Sequence, residues 1–378
     1  MQGSLMARLL RARKAQVELQ FNWLYVLVAG GFILLLFFGF VFSLRSNTEQ
    51  ELSVFLKNNL FAIMDGARGS ADTLVPVSLL DYELTFSCDE GFSSFGVEGS
   101  KTNSQSIESS LFSPQVISGE KMYLWSKEWF APYKIDNMLY VSSPKIRYVL
   151  VYADAEPYRS FASVINGSFP KDLDLIVFAN SLPAQIADDN YDAVKLIFLG
   201  FESGDLISTG VFDQKSLREG IRLSGITVTT TDKKTGTIEF LEDKDNDKVL
   251  SKDTYLGGSL SYIDEAMVFA AIFSDSYEHY ECGFRKLLSK MKEINAVHEQ
   301  KADLLRSFSG TPQVLAKCSV LYDNIKEKLG LSSSRINDYL KTSSPIPFST
   351  LFNDLTPLYK EITVKNNQLE DNSCPLVY

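Results

Sequence analysis

An unbroken apolar run from Trp23 to Phe42 constrains this chain more than any other feature. At 1.5 Å per residue, a helix of about 20 residues spans the roughly 30 Å hydrocarbon core of a bilayer. Arg8, Arg11, Arg13 and Lys14 precede the run, so the positive-inside tendency places the N-terminus in the cytoplasm. The sequence therefore predicts a basic cytoplasmic tail at 1–22, a transmembrane helix at 23–44 and an extracytoplasmic remainder.

A cleaved secretory signal peptide is the alternative explanation of the same run. The run exceeds the roughly 7–15 apolar residues of a signal peptide, and no A-x-A-like cleavage site follows Phe42. The sequence therefore favours a retained helix.

The residues before the apolar run, Arg13-Lys14-Ala15-Gln16-Val17-Glu18-Leu19, resemble the class III signal peptide of archaeal type IV pilin-like proteins. In that family a prepilin peptidase cuts before the Gln and leaves the hydrophobic helix on the mature chain. The resemblance implies cleavage between Ala15 and Gln16. The overall layout, with the closing segment at 373–378, is also similar to uncharacterised single-span surface proteins of small-genome archaea, and this likeness implies no activity.

The charge and the length of the chain after the basic tail indicate an acidic, folded head. The whole chain carries −10 and its first 22 residues carry +3, so the rest carries −13. Such a balance disfavours binding to nucleic acid and to anionic headgroups, and it favours cation binding. The length after the apolar run suits about two domains.

Changes in hydrophobic periodicity predict an α/β fold, α+β overall, in four regions. They are a juxtamembrane helical stalk at 45–70, a β-rich region at 71–144, an α/β domain at 145–275 and a C-terminal helical region at 276–378. Within the β-rich region, Gly99 to Ser113 is rich in serine and is predicted to be an exposed loop. The aromatic cluster around Trp125 and Trp129 favours core packing over a partner-facing surface.

The α/β domain carries continuous rather than alternating hydrophobicity, which is typical of parallel strands covered on both faces. A helix is predicted over Tyr158 to Ile165, a hairpin around Asp232 to Gly236, and a last buried strand over Ala266 to Phe273. The three predicted parallel strands are Ile146–Ala153, Leu173–Ala179 and Val194–Phe201. Further on, Thr311-Pro312 and Thr356-Pro357 each predict the start of a helix.

Polar residues follow the three predicted parallel strands, where ligands of open α/β sheets gather. The candidate ligand-binding residues are Asp154, Glu156, Asn180 and Glu202. No hydrolase elbow, phosphate loop or dinucleotide motif accompanies them, and the chain has only two histidines, His279 and His298.

Asp243, Asp245 and Asp247 alternate in a turn and match the start of a calcium loop. Lys248 then replaces the glycine of that loop and Thr254 replaces its bidentate glutamate. A solvated acidic turn is therefore the preferred interpretation, with weak calcium binding as the alternative; no other cofactor is predicted.

Four cysteines, Cys88, Cys282, Cys318 and Cys374, permit two disulfides in any of three pairings, or four buried thiols. Asn166-Gly167-Ser168 is a candidate glycosylation site on the side predicted to be extracytoplasmic.

The prediction for function is a membrane-anchored extracytoplasmic protein that acts as a binding or assembly module of the cell surface. Its expected partners are the membrane and either further copies of itself or an envelope protein, and no nucleic acid. A pilin-like subunit processed before Gln16 is one alternative. A membrane-anchored hydrolase that uses the strand ends is a second, less favoured one.

Overall fold

In the computed structural model the chain divides into two units, residues 1–56 with 100–102, and residues 57–99 with 103–378. The structure describes residues 26–39 and 55–378, except for 80–81, 90–91, 98–104, 108–109, 183–185, 187–189, 204–216, 231, 253–258, 309–311 and 342–346.

Helix α1 covers residues 26–39 of the first unit. Its large apolar side chains are 55% to 72% exposed. Among the described residues, no helix combines the length and the apolar character needed to cross a membrane. The ends of the predicted span at 23–44, the tail at 1–22 and the predicted cleavage site at Ala15 and Gln16 lie outside the described residues.

The second unit contains the remaining described elements. Its helices are α2 at 55–68, which begins just before the unit, α3 Tyr158–Ser168, α4 Glu265–Phe273, α5 Tyr277–Phe308, α6 Pro312–Leu340 and α7 Phe348–Asp371. Its strands are β1 Leu74–Ser78, β2 Leu84–Asp89, β3 Phe92–Val97, β4 Gln105–Ile107, β5 Leu111–Phe112, β6 Val116–Ile117, β7 Lys121–Phe130, β8 Lys134–Ser142, β9 Ile146–Tyr152, β10 Asp174–Ala179, β11 Ala193–Leu199, β12 Arg222–Thr230, β13 Thr235–Glu242, β14 Ser251–Lys252 and β15 Ser259–Ile263.

The strands form three sheets. Two have four strands each, in the orders β1-β7-β8-β5 and β4-β3-β2-β6. The third has seven strands in the order β10-β9-β11-β12-β13-β14, with β15 also paired to β13. Strands β10, β9, β11 and β12 run parallel, whereas the pairs from β12 onward are antiparallel. The fold is therefore mixed α/β, as predicted, and the three predicted parallel strands, the helix between them and the hairpin are confirmed within one or a few residues at each end.

The predicted strand over Ala266 to Phe273 is wrong, because this segment is helix α4. A short, uniformly apolar run has neither the helical nor the strand period, so its pattern cannot distinguish the two. Every residue from Ala266 to Phe273 is buried, since α4 contacts strands of both the four-stranded β7–β8 sheet and the seven-stranded sheet. A helix covered on all sides can be apolar all round.

The exposed loop predicted over Gly99 to Ser113 is also corrected where the structure describes it. Gln105–Ile107 pairs with β3, and Leu111–Phe112 pairs with β8. Phe112 is almost fully buried, and its ring lies 5.1 Å from that of Phe284. The serine-rich composition is typical of a loop, and these short strands form only because tertiary contacts pair them with β3 and β8.

The two Thr-Pro pairs have different outcomes. Helix α6 begins at Pro312, as predicted. Pro357, by contrast, lies inside α7, which begins nine residues earlier at Phe348. The preceding turns of α7 bury Phe348, Phe352 and Leu355, and this packing offsets the cost of an internal proline.

Helices α5, α6 and α7 pack successively against one another, and α7 also covers β15. The end of the described chain completes this bundle, because Val377 is fully buried and its backbone N–H donates to Asn366 Oδ1 at 3.0 Å. At the other end, α2 buries Leu60 and Met64, and the Arg68 carbonyl accepts a hydrogen bond from Asn137 Nδ2 at 2.7 Å. This part of the predicted stalk is therefore integrated into the second unit.

Candidate functional site

The parallel strands bring two of the four predicted strand-end residues together. The backbone N–H of Asp154, after β9, donates to Asn180 Oδ1, after β10, at 2.8 Å. Glu156 follows Asp154 in the same turn, and Glu202 lies on the segment after β11. All four residues are exposed.

Two of the carboxylates at these strand ends, Asp154 and Glu156, contact neighbouring side chains. Arg159 Nη2 lies 2.7 Å from Asp154 Oδ1, and Ser160 Oγ donates to Glu156 Oε2 at 2.6 Å. The side chain of Asp154 is 44% exposed, so solvent screens its charge. Asp154 and Glu156 are therefore locally paired at an exposed surface.

The two histidines both lie on helix α5. His279 lies in the first turn of α5, where its backbone N–H donates to Ser276 Oγ at 3.3 Å, the geometry of a helix cap. His298 Nδ1 lies 3.2 Å from the carbonyl oxygen of Val377, and its ring packs on Tyr133 and Tyr378. Burial lowers the pKa of His298, so the neutral ring is favoured.

The acidic turn at 243–247 uses its carboxylates within the turn. The backbone N–H of Lys248 donates to Asp243 Oδ1 at 3.2 Å, and Lys248 Nζ lies 3.6 Å from Asp243 Oδ2. Asp247 Oδ1 accepts from the N–H of Val249 at 3.0 Å, while Asp245 is exposed. Across the described residues, no group of three His, Cys, Asp or Glu side chains is arranged to hold a metal ion.

All four cysteines are paired. Cys88 of β2 bonds to Cys282 of α5 across 194 residues of sequence, and Cys318 of α6 bonds to Cys374 after α7 across 56. Of the three pairings that the sequence leaves open, the structure has this one. Asn166, the candidate glycosylation site, lies exposed in α3.

A cavity of about 480 Å³ lies elsewhere in the second unit, at the junction of four segments. They are the turn between β7 and β8, the β12–β13 hairpin, the junction of β15 with α4, and one face of α7. On α7 the lining residues are spaced by three and four, as expected of a single helical face: Thr356, Tyr359, Lys360, Thr363 and Val364. The volume is within the range of small-molecule sites.

Asp264 lines this cavity and is its most unusual residue. Its φ of +77° is rare for a residue other than glycine, and such strain is concentrated at functional sites. Its Oδ1 caps α4 by accepting from the N–H of Ala266 at 2.9 Å. Burial raises the pKa of the Asp264 carboxyl to about 6, against the opposing effects of the Ala266 N–H and of Lys127 and Lys234.

Two lysines and a second aspartate complete the charged lining. Lys360 Nζ donates to Thr235 Oγ1 at 3.2 Å and lies 3.9 Å from Asp232 Oδ2. Lys234 follows Asp232 in the hairpin, and its carbonyl accepts from the N–H of Asp264 at 2.7 Å. The cavity therefore combines both signs of charge with apolar walls from Phe130, Ile263 and Val364.

Sequence reasoning missed this cavity because its residues come from four distant segments. The one local signal was Asp264 itself, since an Asp before an apolar run is a helix N-cap signature. Comparison of the chain with protein-family models, with curated proteins and with solved structures gave no match.

Proposed function

We propose that this chain is a single-span membrane protein whose second unit forms an extracytoplasmic head that acts by binding or assembly. The observation that carries the proposal is the pairing of all four cysteines, one pair joining residues 194 apart. Disulfides form and persist mainly in oxidising compartments outside the cytoplasm. The basic tail before the apolar run agrees with that orientation.

The exposed apolar surface of α1 supports the membrane anchor. Water-exposed helices normally keep a polar face, whereas α1 exposes Val26, Phe32, Leu35 and Phe38 together. Lipid is the solvent that suits such a surface. Binding or assembly is favoured over hydrolysis because Asp154 and Glu156 are exposed and locally paired. In addition, the ring of His298 packs on Tyr133 and its Nδ1 lies beside the Val377 carbonyl oxygen.

Cysteine labelling of intact cells tests the orientation. Lys171 is exposed in the turn between α3 and β10, so Lys171→Cys provides an accessible thiol on the head. We expect a membrane-impermeant maleimide to label this variant in intact cells, because the head faces outward. The wild type should remain unlabelled, since its four thiols are consumed in disulfides.

The matched control is Ser4→Cys, in the predicted cytoplasmic tail, analysed in the same cells. Its labelling should require permeabilisation if the tail is intact. Labelling of Lys171→Cys only after permeabilisation would refute the proposed orientation.

The pilin-like alternative makes a separate prediction about the N-terminus. Cleavage between Ala15 and Gln16, as the resemblance to class III signal peptides implies, would give a membrane-extracted protein that begins at Gln16. A plain anchored module would keep Met1, and the substitution Ala15→Lys at the predicted cleavage position would leave the size of that protein unchanged. N-terminal sequencing of the wild type and of Ala15→Lys decides between these alternatives, because a wild-type chain that begins at Met1 excludes the pilin-like one.

A further inference from the structure

We propose that the cavity between α7, the β12–β13 hairpin and the β15–α4 junction binds a small zwitterion of the amino-acid type, one or two residues long with an apolar side chain, through Asp264 and Lys234. The inference deepens the proposed function, because it assigns a ligand class to a binding head.

Asp264 is the expected partner of the ligand ammonium. Its Oδ1 is occupied by the Ala266 N–H, but its Oδ2 makes no hydrogen bond with any described residue. A half-buried carboxylate with one open oxygen suits a charge-assisted hydrogen bond from an ammonium. The hydrogen bond from the Ala266 N–H holds that carboxylate in place before a ligand arrives.

Lys234 is the expected partner of the ligand carboxylate. Strands β13 and β15 are antiparallel with Thr235 opposite Ile263, so Lys234 lies opposite Asp264. Side chains of opposite residues start about 5 Å apart at their Cβ atoms. The Lys234 ammonium forms no ion pair with a described residue, whereas Lys360 is already engaged by Thr235 and Asp232.

The apolar part of the ligand is expected at the mouth of the cavity. Among the residues that line the cavity, Phe130 is 41% exposed and Val364 is 52% exposed. Covering them removes apolar surface from water and stabilises the complex. Since Asp232, Asp264, Lys234 and Lys360 sum to no net charge, a neutral zwitterion fits better than an ion of either sign.

Calorimetric titration of the purified full-length protein in detergent tests this inference. The probes are leucine, phenylalanine and the dipeptide Leu-Leu, compared with N-acetylleucine, which lacks the ammonium, and leucinamide, which lacks the carboxylate. We expect at least one zwitterion to bind at pH 7.5. Both modified forms should bind at least tenfold more weakly.

Asp264→Asn is the matched variant, because Asn also caps helices and tolerates positive φ, so the fold should persist. Asp264→Asn should weaken zwitterion binding at least tenfold. Lys234→Met should remove the preference for leucine over leucinamide. Lys171→Met, outside the cavity, should change neither the affinity for zwitterions nor this preference.

Acidification should weaken binding as well, by about tenfold between pH 7 and pH 5, because protonation of a carboxyl of pKa about 6 removes its charge. The charged groups that act on Asp264 are Glu265, Lys127 and Lys234.

Absence of binding by all three zwitterions at millimolar concentration would overturn the inference. So would equal affinity of Asp264→Asn and wild type, or equal binding of leucine and leucinamide to the wild type. These outcomes concern purified protein alone, so they are distinguishable from a failure of the labelling experiment, which concerns orientation.

Discussion

Replacing Cys88 and Cys282 together by alanine should lower the free energy of unfolding by about 5 kcal/mol. The bond closes a loop of 194 residues, and the chain-entropy model gives about 5 kcal/mol for a loop of that length. It joins β2 to α5, so its loss frees the unfolded chain across most of the second unit. Urea denaturation of the full-length protein in detergent, without reductant, measures the effect.

The second disulfide supplies the matched comparison. Replacing Cys318 and Cys374 by alanine opens a loop of 56 residues, and the same model gives about 4 kcal/mol. The first variant should therefore be the less stable of the two. Peptide mapping under non-reducing conditions checks the pairing independently of folding. A Cys88→Ala/Cys282→Ala protein as stable as wild type would contradict the prediction.

The disulfide pairing illustrates what a single sequence leaves open. Four cysteines allow three pairings, and the choice depends on which segments the fold brings together. Cys88 and Cys282 meet because α5 packs against β2 and β3, a contact between segments about 190 residues apart in sequence. No local pattern encodes that contact.

Local patterns did predict the parallel part of the large sheet. Strands β9 and β11 are buried along almost their whole length, and their unbroken hydrophobicity is the direct result. Helix α4 shares that hydrophobicity because it is buried on every side, so its pattern alone wrongly predicts a strand. Its distinguishing feature, the cap by Asp264, lies two residues before the apolar run.

The cavity lay beyond sequence reasoning for a physical reason. Phe130, Lys234, Asp264 and Lys360 belong to four distant segments. The pairing of β13 with β15 places Lys234 opposite Asp264, and the packing of α7 on β15 adds Lys360. The strand-end residues were easier to predict, because adjacent parallel strands end at the same sheet edge. The four residues at that edge are exposed, and Asp154 and Glu156 are locally paired there, whereas the cavity is assembled from distant segments.

Because of Lys195, the free energy of unfolding of the head should rise by about 2 kcal/mol between pH 7 and pH 9.5. This lysine lies in the middle of β11, fully buried, and its Nζ donates to the carbonyl of Ser274 at 2.5 Å. Burial lowers the pKa of Lys195 to about 8, against the opposing charges of Asp275 and Glu242. An unfolded lysine has a pKa of about 10.4.

The direction follows from which state binds more protons. Below pH 8 both states are protonated, and the folded state must hold a buried charge at a cost. Between pH 8 and about 10.4 the unfolded chain keeps a proton that the folded chain releases, so the free energy of unfolding rises with pH. Buried tyrosines such as Tyr148 act oppositely, because burial raises their pKa and their contribution falls as pH rises through 10.

Lys195→Met isolates the lysine from these other groups, since both proteins share every tyrosine. Urea denaturation at pH 7, 8, 9 and 9.5 should show the wild type gaining about 2 kcal/mol relative to Lys195→Met across the series. Loss of the hydrogen bond to Ser274 lowers the free energy of unfolding of the variant by the same amount at every pH. The two proteins therefore still differ in how steeply their free energy of unfolding rises with pH. Lys171→Met, at an exposed position, should follow the wild type. Parallel curves for wild type and Lys195→Met would show that burial does not shift the pKa of this lysine.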